Sequence, residues 1–113
     1  RIFGDASEQL AEQYLVERGY KILDRQFLTR IGEIDLVAEQ GGEIVFVEVK
    51  ARHTDEFGYP EAAVTKLKLR KIANTAEIYL RLKGLTERSF RVDVVAIEHN
   101  FSPPQITLIE GVG

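Results

Sequence analysis

The residues able to do chemistry converge on one stretch, Gly32 to Arg52. Two β-branched-rich runs flank Gly41-Gly42, a dipeptide that takes φ > 0 without steric cost and so suits a two-residue hairpin turn. If Gln40 pairs with Glu43, Asp35 falls opposite Glu48 and Glu33 opposite Lys50. Side chains alternate along a strand, so Asp35, Glu48 and Lys50 share a face with Val37, Ile44 and Phe46. Ile34, Leu36, Ala38, Val45, Val47 and Val49 fill the other face, which reads as core. A three-residue loop would shift the pairing by one and send Asp35 to the face away from Glu48.

Two carboxylates that close repel each other and are poorly solvated, so they need a proton or a cation. Lys50 brings one positive charge, and a divalent metal on oxygen ligands, as Mg²⁺ commonly is, would bring the rest. A cross-strand ion-pair patch, worth only about 0–1 kcal/mol when exposed, is the alternative. Spacing alone leaves both open.

Several elements must position this pair. Residues 5–18 read as a helix with Ser7, Leu10, Ala11, Tyr14 and Leu15 on one side and Gly19 at its stop. Glu8 lies at the margin of that stripe, where it could reach a site on the sheet. Asp5 and Glu8 also have capping-box spacing, which the spacing by itself favours. Residues 20–27 are a first strand, and Arg25 and Arg30 are either phosphate contacts or solvated. Residues 51–59 read as a loop in which Phe57 and Tyr59 could stack on bases or anchor the loop, while His53 with Asp55 is too weak a metal signal to count.

Pro60 suits a first helical turn and Gly84 a stop, and Leu69, Ile72, Ala73, Ala76, Tyr79 and Leu80 form an apolar stripe between them. Lys66, Lys68, Arg70 and Lys71 are most simply a solvated face. If Thr65 caps a fresh helix, however, these cations sit against the positive end of its macrodipole and ask for an anionic partner such as a phosphate backbone. Residues 89–98 form a strand buried on both faces, and residues 105–110 a last, edge strand. The order is αβββαββ.

At 113 residues, 44% hydrophobic and 29% charged, the chain has the composition of one globular α/β domain spanning residues 1–113. The absence of Cys excludes thiol chemistry and fits a reducing, cytoplasmic setting. No apolar run approaches the length of a membrane span, and nothing at the start resembles a signal peptide. A net charge of −3 argues against nonspecific coating of nucleic acid but leaves room for a local basic patch.

An Asp followed by Glu-x-Lys on the next strand is the pattern of the restriction-endonuclease-like nuclease superfamily. The fuller string is more particular: Glu8, Gly19-Tyr20, Gly32-Glu33-Ile34-Asp35-Leu36, Phe46-Val47-Glu48-Val49-Lys50-Ala51-Arg52, Phe57-Gly58 and Arg91-Val92-Asp93-Val94-Val95. It resembles the YraN-like family of small bacterial proteins, similar in layout to archaeal Holliday junction resolvases. The chain departs from that family at Gln26-Phe27-Leu28, where the family usually has Asn and a further basic residue.

The resemblance implies a restriction-endonuclease-like core, a mixed sheet flanked by helices. It implies a metal-dependent nuclease acting on DNA phosphodiester bonds, selective for junction-like or flapped structures. Asp35, Glu48 and the backbone carbonyl of Val49 would ligate Mg²⁺ or Mn²⁺. Lys50 would orient the attacking water, and Glu8 would complete the acidic cluster, which moves the reading of Glu8 toward the site. Arg30, Arg52, Lys66, Lys68 and Arg70 are the candidate nucleic-acid contacts. A resolvase-like enzyme would act as a homodimer. The other reading is a noncatalytic nucleic-acid-binding or partner-binding module on the same scaffold.

Overall fold

The computed structural model describes residues 6–53 and 64–112. Gly41 and Gly42 take φ of +62° and +82°, joining strand β2 (Glu33–Gln40) to β3 (Glu43–Arg52) with Gln40 opposite Glu43. This is the turn and register expected from the Gly-Gly pair. Before the hairpin come helix α1 (Ala6–Glu17) and strand β1 (Lys21–Leu28). After it come helix α2 (Lys66–Leu82), β4 (Phe90–Glu98) and β5 (Gln105–Ile109). The strands lie in the order β1-β2-β3-β4-β5, with β3 and β4 parallel and the other neighbours antiparallel. Order and mixed sheet fit a restriction-endonuclease-like core.

Both faces of the sheet are covered. Ala11, Leu15 and Tyr20 pack on Leu36, Ala38, Val45 and Val47 on the α1 side. Ile72, Ala76, Tyr79 and Leu80 of α2 pack on Val37, Ile44 and Phe46 on the other. The face that carries the charged pair is thus also a core face, and strict alternation fails at one residue. Ile34 packs on the α2 side with Val37, not with Leu36. The β2–β3 ladder runs only as far as Leu36↔Val47, although β2 stays paired to β1 through Glu33. Asp35 sits at that break, and the β1 residue that falls opposite it, Gln26, has a φ of +53°.

Helix α2 begins at Thr65, whose side chain accepts from the Lys68 N–H at 3.1 Å. The hydroxyl meets one of the amide donors that a helix start leaves unpaired. The earlier start proposed at Pro60 lies outside the described residues, as do Asp5, Asp55, Phe57 and Tyr59. Gly32 sets how closely α2 approaches β2, since an ideal Cβ there would stand 2.8 Å from Thr75 Oγ1. Among the described residues no helix is long and apolar enough to cross a membrane.

Candidate functional site

Carried one residue past its last pair, the hairpin register brings Asp35 beside Glu48, where the β2–β3 ladder has ended. Asp35 Oδ2 accepts the Val49 N–H at 2.8 Å, so a side chain serves where a strand carbonyl would ordinarily continue the pairing. In extended backbone a residue's N–H and C=O point to the same side, which turns the Val49 carbonyl toward β2 as well. Glu48 is 5% exposed. Its Oε2 faces two ammonium groups, Lys50 Nζ at 3.5 Å and Lys68 Nζ at 3.4 Å. The first comes from the same strand, the second from the opening turn of α2.

Burial pushes the Asp35 carboxyl up to about 7, the charge of Glu48 adds to that rise, and the Val49 N–H opposes it. Glu8 contributes a smaller push, so its carboxylate is near enough to be felt at Asp35. Glu8 itself accepts from Gln26 Nε2 at 2.6 Å. The left-handed backbone at Gln26, a costly conformation for a residue other than Gly, is a local irregularity beside this contact. Acidic groups from α1, β2 and β3 thus approach one another around one buried position. Among the described residues no three of His, Cys, Asp and Glu are grouped as a metal site. Two carboxylates and one carbonyl would leave half of a six-oxygen shell to water and phosphate, a donor set suited to Mg²⁺ or Mn²⁺.

The candidate cations separate. Residues two apart on an α-helix lie about 200° around it, so Lys66 and Arg70 point away from Lys68. They line a cavity of about 630 Å³ with Leu69, Phe90, Arg91 and Val112, on the flank of α2 away from Lys68. Arg30 is exposed in the β1–β2 turn. Arg52 is buried, with Nη2 3.4 Å from Glu98 Oε2. Arg25 forms a two-pronged pair with Glu12, and the His53 ring stacks on His99 at 4.9 Å.

Besides the Gln26–Glu8 bond and the passage of Ile34 to the α2 side, two more arrangements were not foreseen from sequence. The first is the contact of Lys68 with Glu48, for which the only signal was a cation in a helical first turn that holds no acid. The second is a buried network under the α1 face. Asp93, fully buried, accepts from Tyr20 Oη at 2.8 Å, Arg91 Nε at 3.0 Å and the Gly111 N–H at 2.9 Å. Arg91 reaches on to Gln40 at 2.7 Å and Glu43 at 3.1 Å, tying β4 to the hairpin turn. Arg91 and Asp93 are same-face neighbours on β4, but the parallel pairing of β3 with β4 is what brings Gln40 and Glu43 to Arg91, and no local pattern announces those partners.

Comparison with known proteins gives one consistent answer. A UPF0102 protein of Vibrio campbellii is 48% identical over 99 residues, covering 86% of this chain and 81% of that protein. Another, from Persephonella marina, is 41% identical over 88% of this chain and 85% of its own length. One from Syntrophomonas wolfei is 47% identical over 86% and 84%. The family model that matches residues 7–97 carries the same designation, and the chain therefore belongs to the uncharacterised protein family UPF0102, the YraN family.

Proposed function

We propose that this protein is a divalent-metal-dependent nuclease hydrolysing DNA phosphodiester bonds, selective for branched or flapped DNA. The observation that carries the reading is the Asp35–Glu48 pair at the interrupted β2–β3 ladder, with Lys50 and Glu8 beside it. An isolated surface ion pair would not push a carboxyl this far from its usual range. Burial beside a second carboxylate does.

Asp35, Glu48 and the Val49 carbonyl would hold Mg²⁺ or Mn²⁺. A bound divalent ion supplies Lewis-acid neutralisation of the phosphate and acidifies its water. Asp35 must give up its proton to take part, so the Val49 N–H, which favours the anion, prepares it. Lys50 donates hydrogen bonds that orient the attacking water and offset charge on the phosphate in the transition state. Glu8, held by Gln26, acts as an outer ligand to water at the same centre.

The test is cleavage of a panel of DNA shapes in Mg²⁺ or Mn²⁺ by the wild type, Asp35→Asn and Glu48→Gln. Wild-type cleavage that both variants abolish supports the reading; no wild-type activity above the variants ends it. The second reading, a noncatalytic nucleic-acid-binding module, is favoured by one observation, that Glu48 already has two ammonium partners within the chain. Salt-dependent DNA binding without turnover, unchanged by Asp35→Asn, would select it.

A further inference from the structure

Lys68 stands in an electrostatically awkward place. It is the third residue of α2, where the helix presents its positive end and a cation is unfavourable. Thr65 fixes its backbone through the Lys68 N–H, and the Gly32–Thr75 approach seats the helix on β2. The side chain is under no such restraint. It is 38% exposed, yet its ammonium is 3.4 Å from the nearly buried Glu48 carboxylate. Lys50 approaches the same oxygen from the other direction. Glu48 Oε2 is therefore occupied by two protein cations, one from its own strand and one from the first turn of α2.

We infer that Lys68 is an exchangeable counter-ion at this centre: a divalent cation displaces its ammonium from Glu48, and the released ammonium becomes a contact for a substrate phosphate. The inference rests on the reading that Asp35 and Glu48 take a metal, and it adds a role for a residue of α2. A dication repels a neighbouring ammonium about twice as strongly as a second ammonium does at the same distance, so its arrival at Glu48 works against keeping Lys68 there. The two side chains are almost equally exposed, 38% for Lys68 and 34% for Lys50, so what separates them is attachment: Lys50 stands on the strand that carries Glu48, two residues away, while Lys68 reaches in from α2. The same swing gives an order of events. The metal loads first, and only then is the cation on α2 available to an anionic backbone.

The experiment is a titration with Mn²⁺ alone, following free Mn²⁺ by electron paramagnetic resonance, on the wild type, Lys68→Met, Lys68→Arg and Asp35→Asn. Alongside it, amine labelling read by mass spectrometry follows Lys68 in the wild type with and without Mn²⁺, against Lys83 as internal reference. Lys68→Met is expected to bind Mn²⁺ roughly threefold to tenfold more tightly than wild type, because a competing cation is gone. Lys68→Arg should bind as the wild type does, and Mn²⁺ should raise the labelling of Lys68 and leave Lys83 unchanged. Equal or weaker binding by Lys68→Met, or labelling of Lys68 indifferent to Mn²⁺, overturns the exchange and leaves the metal reading standing. Full-affinity binding by Asp35→Asn, or no binding by wild type and Lys68→Met alike, removes the metal reading and the exchange with it. If Lys68→Met fails to fold, the arginine variant and the labelling decide.

Discussion

Asp35 accepts the Val49 N–H in the place where β2 and β3 cease to pair, so one carboxylate both ends a ladder and faces a second carboxylate, Glu48. Its carboxyl is raised from an ordinary 3.8 to about 7. The native state therefore binds a proton over the range between those values that the unfolded chain has released. For an acid shifted upward, stability is unpenalised below about pH 4 and is lost as pH rises toward 7, then levels. Urea denaturation across this range should show that decline in the wild type, on the order of 2–4 kcal/mol at its largest. Asp35→Asn should flatten it and be the more stable protein at pH 8. A wild-type profile no steeper than the variant's would show that the carboxyl is not buried as described.

The same proton competes with a metal. Mn²⁺ should raise the wild-type melting temperature at pH 8 and lose that effect below about pH 6, because a ligand must be deprotonated to bind. Asp35→Asn should show no such pH-dependent gain. A Mn²⁺ stabilisation of equal size in both proteins would place the ion elsewhere.

Gly32 and Thr75 are packed so closely that Gly32→Ala must displace the Thr75 hydroxyl, which donates to the Lys71 carbonyl at 2.8 Å. Thr75 is fully buried, so the strain has little room to relax. A loss of about 1–3 kcal/mol is expected. Thr75→Ala removes the obstructing atom, and the double variant should recover part of the loss. Additive losses in that cycle would show that the two residues do not interact.

In the Asp93 network the partners differ in kind. Burial and Asp93 push the Tyr20 phenol upward, so it is a neutral donor, and Tyr20→Phe should cost about 1–2 kcal/mol. Arg91 carries the charge that balances a fully buried carboxylate, and Arg91→Met should cost about 3–5 kcal/mol. Denaturation midpoints with this order reversed would refute the assignment of Arg91 as the main counter-charge.

Thr65→Ala removes the side-chain acceptor for the Lys68 N–H and should destabilise the protein by about 1 kcal/mol. The same substitution loosens the turn that carries Lys68, so salt should affect the stability of the variant less than that of the wild type. An unchanged salt response would mean that the cap does not help to hold the Lys68–Glu48 contact.

The sequence by itself determined the central hairpin. A Gly-Gly pair between alternating runs sets a two-residue turn, and a two-residue turn sets a register that, carried one residue past its last pair, brings Asp35 beside Glu48. Element order and the burial of β4 on both faces were legible for the same reason, since each follows from neighbours a few residues apart, while Thr65 was one of two helix starts that the sequence left open. What lay beyond reach depended on which element covers which. The passage of Ile34 to the α2 side, the Gln26–Glu8 bond and the Asp93–Arg91–Tyr20 network join strands and helices distant in the chain. So does the division of the α2 cations, which sends Lys68 to Glu48 and its neighbours Lys66 and Arg70 to the opposite flank. Periodicity records how a segment divides its side chains between two faces. Only packing decides what stands across from each face, because that choice is made by the shapes and charges of residues with no fixed spacing between them.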